Sequence, residues 1–402
     1  MDTNVLTTID TAGIGRLQKL GIYGALAGLV VGGLGVAFDR SQLAPSLLIA
    51  LWFCTGLSLG SLALLMLQHM SGGQWGVVSR RIYEAGSRVL PFSVLLFIPV
   101  AFLAPQLYVW ARPEGQAHQA IAFRGAYQTL PWFVIRTAIY FAIWLFCMWS
   151  LNKWSAQQDA GEVATTDADL RRFRVVSAPG LPLYVLAMSL AAVDWAMSLD
   201  PEWYSTIYGL IQVVGQGLNA LAFGVAVLAM LSPREPMNHV LRASHFHDLG
   251  KLMLALVMLY AYFSFSQFLI IWAGNLPEEI PYYLERLRNG WQPVTIFLVV
   301  GHFFLPFCLL LSRDLKRRPH LLARVAWFIV GIRLLTDIWL VAPAFTKDGT
   351  TFPISLANVG IPLFFAGVWV WLFAQQLGKR PLLPINDPDF KHMLLHGHEG
   401  GH

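Results

Sequence analysis

The sequence predicts an all-α integral membrane protein of about ten transmembrane helices. Of its 402 residues, 56% are hydrophobic and only 13% charged, and the mean hydropathy is +0.55. Soluble domains carry about 25% charged residues. The apolar residues also gather in blocks, each near the ~20 residues that cross a bilayer as a helix. Within a block the hydrophobicity is unbroken, whereas a barrel would show alternating segments of ~10 residues.

The blocks fall at 17–38, 45–70, 89–110, 131–151, 179–199, 207–231, 248–273, 291–312, 321–342 and 354–377. The start, Met1 to Asp10, has no basic cluster and no small-residue cleavage site follows the first block, so the first helix is expected to stay in the mature protein. Gly24, Gly28 and Gly32 in the first block, and Gly56 and Gly60 in the second, repeat the spacing that lets helices approach closely. The partner of each stripe lies either within the chain or in another subunit. Cys54, Cys147 and Cys308 are isolated within apolar blocks and read as small core residues. No Cys-x-x-Cys, haem-c or iron–sulfur spacing occurs.

Orientation follows from Lys and Arg in the connections. Twenty of the 28 fall on the side of the N-terminus and the even-numbered connections, seven on the other, and Arg333 lies in a span. Both termini are therefore expected in the cytoplasm. Residues 1–378 read as one membrane domain, with a cytoplasmic, partly disordered connection at about 152–178. Residues 379–402 read as a flexible polar tail containing His396, His398 and His402. The formal charge of +5 needs no nucleic acid to explain it; Arg313-Asp-Leu-Lys-Arg-Arg318 is an anchor suited to anionic lipid. On the outer side, Asn275–Arg288 reads as a short amphipathic helix, lying on the membrane or docking a partner.

Candidate functional residues are the titratable groups inside blocks, since charge at membrane depth costs several kcal/mol and persists where it is paired or lines a polar path. Arg333 and Asp337 stand at i, i+4 on one helical face. Asp194 lies about 22 Å from the inner end of its helix at 1.5 Å per residue. The three could form one outer-half cluster. It is either a proton relay or pocket wall, with one acid in excess, or an ion network that locks helices. His302 precedes Pro306 by four, so its carbonyl loses its usual helical donor. That suits a water-lined proton site, or a plain kink with a hydrogen-bonded core histidine. His69, near the inner end of the second block, is either interfacial or the entry of the same path. In Tyr260–Phe268, Gln267 carries an amide that must find a partner. His69, His302, His245 and His247 offer no pair at one depth, so haem b is not expected, and no catalytic or metal motif is present.

Two strings carry a resemblance. Ala192-Val-Asp-Trp-Ala-Met-Ser-Leu-Asp-Pro-Glu-Trp-Tyr-Ser-Thr-Ile-Tyr208 is one; His247-Asp-Leu-Gly-Lys251 followed by Tyr260 to Glu279 is the other. Together they resemble the ActF subunit of bacterial alternative complex III, of the NrfD/polysulfide-reductase membrane-subunit type. The resemblance implies two four-helix bundles, helices 2–5 and 6–9, plus two outer helices. It implies a subunit of a complex in the bacterial inner membrane that oxidises quinol and passes electrons through iron–sulfur and haem-c subunits to a cytochrome c or an oxidase. This chain would bind no cofactor, support assembly beside a related quinol-site subunit, and conduct protons. Asp194 falls within the first string; His302, Arg333 and Asp337 fall outside both. An autonomous secondary transporter, or a quinol-binding redox subunit in its own right, are the alternatives.

Overall fold

The chain folds as an all-α, multi-pass membrane protein, with no strand among the described residues. The computed structural model describes residues 10–117, 125–161, 167–346, 349–350 and 352–396. Ten helices within these residues are long and apolar enough to span: α1 Thr11–Phe38, α2 Arg40–Ser71, α3 Gln74–Phe102, α4 Leu130–Asp159, α5 Arg171–Leu199, α6 Tyr208–Leu231, α7 Ala243–Gly274, α8 Gln292–Leu311, α9 Pro319–Phe345 and α10 Leu356–Leu377. The chain ends therefore share one face.

Helices α2–α5 pack together, as do α6–α9, and the two bundles meet where α2 lies against α6. Burial identifies those two as central. The most apolar stretch of α2 is 94% buried and that of α6 78%, against 17% for α7 and 22% for α1. A Cβ on Gly60 would sit 2.2 Å from the Gln216 carbonyl oxygen of α6, so glycine sets the α2–α6 approach. The first glycine stripe faces inward within the chain: α1 pairs with α10, backbone against backbone. A Cβ on Gly28 would meet Phe364 N at 2.2 Å, and one on Gly360 would meet Gly32 N at 2.0 Å. In lipid, where no hydrophobic drive separates helix from solvent, such dispersion contact is what holds two helices together.

Several elements exceed the apolar blocks. Helix α3 begins at Gln74, about four turns before its block, because Arg80, Arg81 and Glu84 are buried against partners rather than solvated. Helix α4 reaches Asp159, and the helix that carries α5 already starts at Asp167, so most of the connection expected at 152–178 is helical; residues 162–166 lie outside the described residues. The C-terminal segment is not the flexible tail expected up to its end. Leu382, Leu383, Phe390 and Met393 are buried, and helix Pro388–His396 packs on α3. His398 and His402 lie outside the described residues. Of the cysteines, Cys54 and Cys147 are core, but Cys308 is exposed. On the opposite face, helix Pro281–Glu285 inserts Tyr282 against Trp203, ring centroids 3.9 Å apart.

The two glycines of one stripe should behave differently. Gly28→Ala should lower stability by about 1–3 kcal/mol through overpacking. Gly24→Ala, whose Cβ would come no nearer than 3.7 Å to Gly367 Cα, should change it by about 0.5 kcal/mol or less. Unfolding in detergent measures both; equal losses would contradict the α1–α10 contact.

Candidate functional site

The predicted residues are distributed over three polar clusters. The first lies within α6–α9. Arg333 Nη2 donates to Asp337 Oδ1 at 3.0 Å, and both residues are 2% exposed. Gly215 of α6 makes room for the guanidinium: a Cβ there would stand 2.9 Å from Cζ and from both terminal nitrogens. Tyr260 of α7 faces Arg333, its ring centre 5.1 Å from Cζ, and also contacts the His302 ring of α8 at 4.1 Å. His302 sits in a π-helical turn, Val299–Phe304. The local cause is Pro306, which has no N–H to give the His302 carbonyl; the ladder widens and Leu305 N donates to Val300 O instead. So Arg333, Asp337 and His302 are brought together, with Tyr260 between arginine and histidine.

This cluster has unused hydrogen-bonding capacity. Arg333 Nε and Nη1 and His302 Nε2 are buried without a protein partner, as are Asn219 Oδ1 one turn along α6 from Gly215 and Ser264 Oγ one turn along α7 from Tyr260. A buried polar group without a partner costs about 1–3 kcal/mol. Buried groups of this kind are the ones that internal water serves.

The second cluster holds Asp194, apart from the first. Its carboxylate accepts from Arg136 Nε at 2.9 Å, Arg136 Nη2 at 2.8 Å and Tyr140 OH at 2.9 Å. Arg136 also donates to Tyr127 O at 2.8 Å and stacks on the Tyr127 ring at 3.8 Å. Asp194 is therefore not an acid in excess, and the expected cluster of Asp194 with Arg333 and Asp337 does not form. A cavity of about 200 Å³ opens beside the pair, lined by Trp110, Tyr127, Gln128, Arg136, Asp194 and Trp203 among others. Nearby Tyr108 donates to Trp195 O at 2.9 Å; burial, with the Asp194 charge second, holds its hydroxyl protonated far above the usual range.

Sequence reasoning missed Arg136, which it counted with the outer connections although it lies inside the 131–151 block. The signal was its place on α4 at i−4 from Tyr140, one helical face aimed at α5. Gln267, by contrast, does find partners: Ser205 Oγ donates to it at 2.8 Å, and it donates to the Tyr283 hydroxyl at 3.1 Å. Burial, then the Tyr282 hydroxyl, raises the Tyr283 pKa.

The third cluster lies at the face carrying the chain ends. Glu84 accepts from Arg80 Nε at 2.9 Å, Arg81 Nη1 at 2.7 Å and Ser155 Oγ at 2.7 Å. Arg81 also pairs with Asp159 of α4, and Arg80 with Asp387 of the C-terminal segment. His69 of α2 and Arg80 flank one ring, Phe173 of α5, at 4.5 and 4.9 Å. His69 is 8% exposed and its Nε2 has no protein partner. It belongs to this buried network rather than to the surface. The i, i+3 and i, i+4 spacing of Arg80-Arg81-x-x-Glu84 was the legible sign. Among the described residues no three His, Cys, Asp or Glu side chains gather as a metal site.

Removing the arginine at the second cluster tests its pairing. Arg136→Met leaves a buried carboxylate without its cation and should cost about 3 kcal/mol. Adding Asp194→Asn should return a large part of that loss. Chemical unfolding in detergent measures both, and an Arg136→Met protein as stable as the parent would contradict the pairing.

No protein-family model matches the chain, and no curated protein matches it.

Proposed function

We propose that this chain is a membrane subunit of a respiratory complex that oxidises quinol and delivers electrons to a cytochrome c or an oxidase. It lies in the bacterial cytoplasmic membrane with both ends in the cytoplasm. Iron–sulfur clusters, haem c and the principal quinol site belong to its partner subunits. The chain contributes a frame for assembly and a proton path through α6–α9. The family resemblance of 192–208 and 247–279 supports the complex; the polar cluster of Arg333, Asp337, Tyr260 and His302 supports the path.

One observation carries the proton reading: a buried acid, a histidine and an arginine with unused donors lie together within the α6–α9 bundle. Carboxylate and imidazole exchange protons with water, and the arginine keeps its charge throughout. His69 and the Glu84 network stand at the cytoplasmic end, where a proton would enter. Asp194, with its carboxylate bonded three times, anchors α4 to α5 instead.

The cavity beside Asp194 favours a second reading, a quinol head group held between aromatic walls and the Arg136–Asp194 pair. A photoreactive quinone analogue would then label Trp203 or Tyr127, and labelling confined to partner subunits removes this reading.

Asp337→Asn in the assembled complex should lower protons moved per electron while quinol oxidation stays within about two-fold, since the substitution touches no electron carrier. Asp194→Asn should leave that ratio unchanged. Proton uptake by vesicles pulsed with reductant measures it; an unaltered ratio in Asp337→Asn removes the path and leaves the subunit assignment standing.

A further inference from the structure

Lys316 is an unusual lysine. It is 7% exposed, and among the described residues no carboxylate or carbonyl accepts from its ammonium. It stands on helix Arg313–Arg317, just past the end of α8, and that helix packs against α7. Gly250 of α7 admits its stem: a Cβ there would lie 2.7 Å from Lys316 Cγ and 3.0 Å from Cδ. The neighbouring charges do not neutralise it. Lys251 follows Gly250 directly, and burial together with the Lys251 charge lowers the Lys316 pKa. His247 lies one turn back on α7; the charges of Lys251, Lys316 and Arg313 all reach it, and its Nδ1 is buried without a partner. Of the two acids on these helices, Asp248 already accepts from Lys251 at 3.2 Å, and Asp314 follows Arg313 on the short helix. Three cations and an imidazole thus gather with two carboxylates, one of them already taken by Lys251.

We propose that Lys316, Lys251, Arg313 and His247 bind the phosphate of an anionic phospholipid at the face carrying the chain ends. Phosphate supplies what the site lacks: several acceptor oxygens and negative charge, at a position where charge-assisted hydrogen bonds are strong. The depth fits a head group, since Lys316 follows the last residue of α8 by five. The adjoining surface fits acyl chains. Leu311 and Leu305 of α8 are 56% and 41% exposed, and Met258 of α7 is 43% exposed, on the stretches leading from this end into the membrane. Those apolar side chains favour a lipid over free phosphate, which has nothing to lay on them. Gly250 is the positioning residue, because any side chain there pushes the lysine stem off α7. The proposal rests on the membrane fold alone and stands whether or not the respiratory reading does.

Native mass spectrometry and thermal unfolding of the purified full chain in neutral detergent test it. Phosphatidylglycerol should be retained and should raise the melting temperature; phosphatidylcholine and inorganic phosphate should do neither. Lys316→Met should weaken phosphatidylglycerol binding by about ten-fold or more, the loss of one charge-assisted hydrogen bond. It should melt close to the parent without lipid, because among the described residues its ammonium has no protein partner to lose. Lys379→Met, an exposed cation at the same face, should change binding by less than about two-fold, since exposed charges are screened. If Lys316→Met does not fold, Lys251→Met carries the same comparison. Equal protection by inorganic phosphate overturns the lipid assignment. Equal losses in the Lys316 and Lys379 variants reduce it to general charge attraction and overturn the site.

Discussion

A charge inside a bilayer has to meet its counter-charge on whatever element lies beside it, and that constraint ties this bundle together. Arg136 of α4 holds Asp194 of α5. Glu84 of α3 gathers two arginines of its own helix and a serine of α4, and Arg80 reaches on to the C-terminal segment. Each pair that crosses between elements fixes them at one depth and in one rotation, which dispersion between apolar faces does not do. Glycines then bring the backbones close, at Gly60 between the bundles and along α1 and α10 at the edge. Electrostatics sets the register and small residues set the distance.

The same constraint separates structural charge from charge with work left to do. Asp194 accepts three hydrogen bonds, so moving a proton onto it would break an assembled site. Arg333 makes one bond to its own helix and keeps Nε and Nη1 without protein partners, beside a histidine in the same state. Two ion pairs that look alike in sequence, both acids at membrane depth, thus differ in spare capacity. The π-turn at His302 adds to that capacity, because it exists to accommodate Pro306 and widens the helix where the imidazole faces α7.

Much of the fold was legible because hydropathy reports helices directly. The ten spans, the α1 glycine stripe and the Arg333–Asp337 pair were all readable. The failures share one cause. A hydropathy window treats a charge as the end of a span, since it cannot see a partner on another helix. Arg80, Arg81 and Glu84 therefore shortened α3 by about four turns, and Arg136, although inside the 131–151 block, was counted with the outer connections rather than as a partner. For the same reason Asp194 was left unpaired and grouped with Arg333 and Asp337. The C-terminal segment looked like a tail because its buried residues, Leu382, Leu383 and Phe390, make too short an apolar run for a span, while Asp387 binds Arg80 and Asn386 binds the end of α4. Local pattern shows which residues are apolar; it does not show which charges neutralise one another across the bundle.

Everything proposed about protons presupposes redox partners, because this chain shows no cofactor motif of its own. The direct measurement is gentle purification of the tagged chain from its native membrane, with a visible spectrum and mass spectrometry of what accompanies it. The account predicts a haem-c absorbance together with iron–sulfur and related membrane subunits in fixed ratio. A colourless chain that purifies alone would contradict it and point to an autonomous transporter.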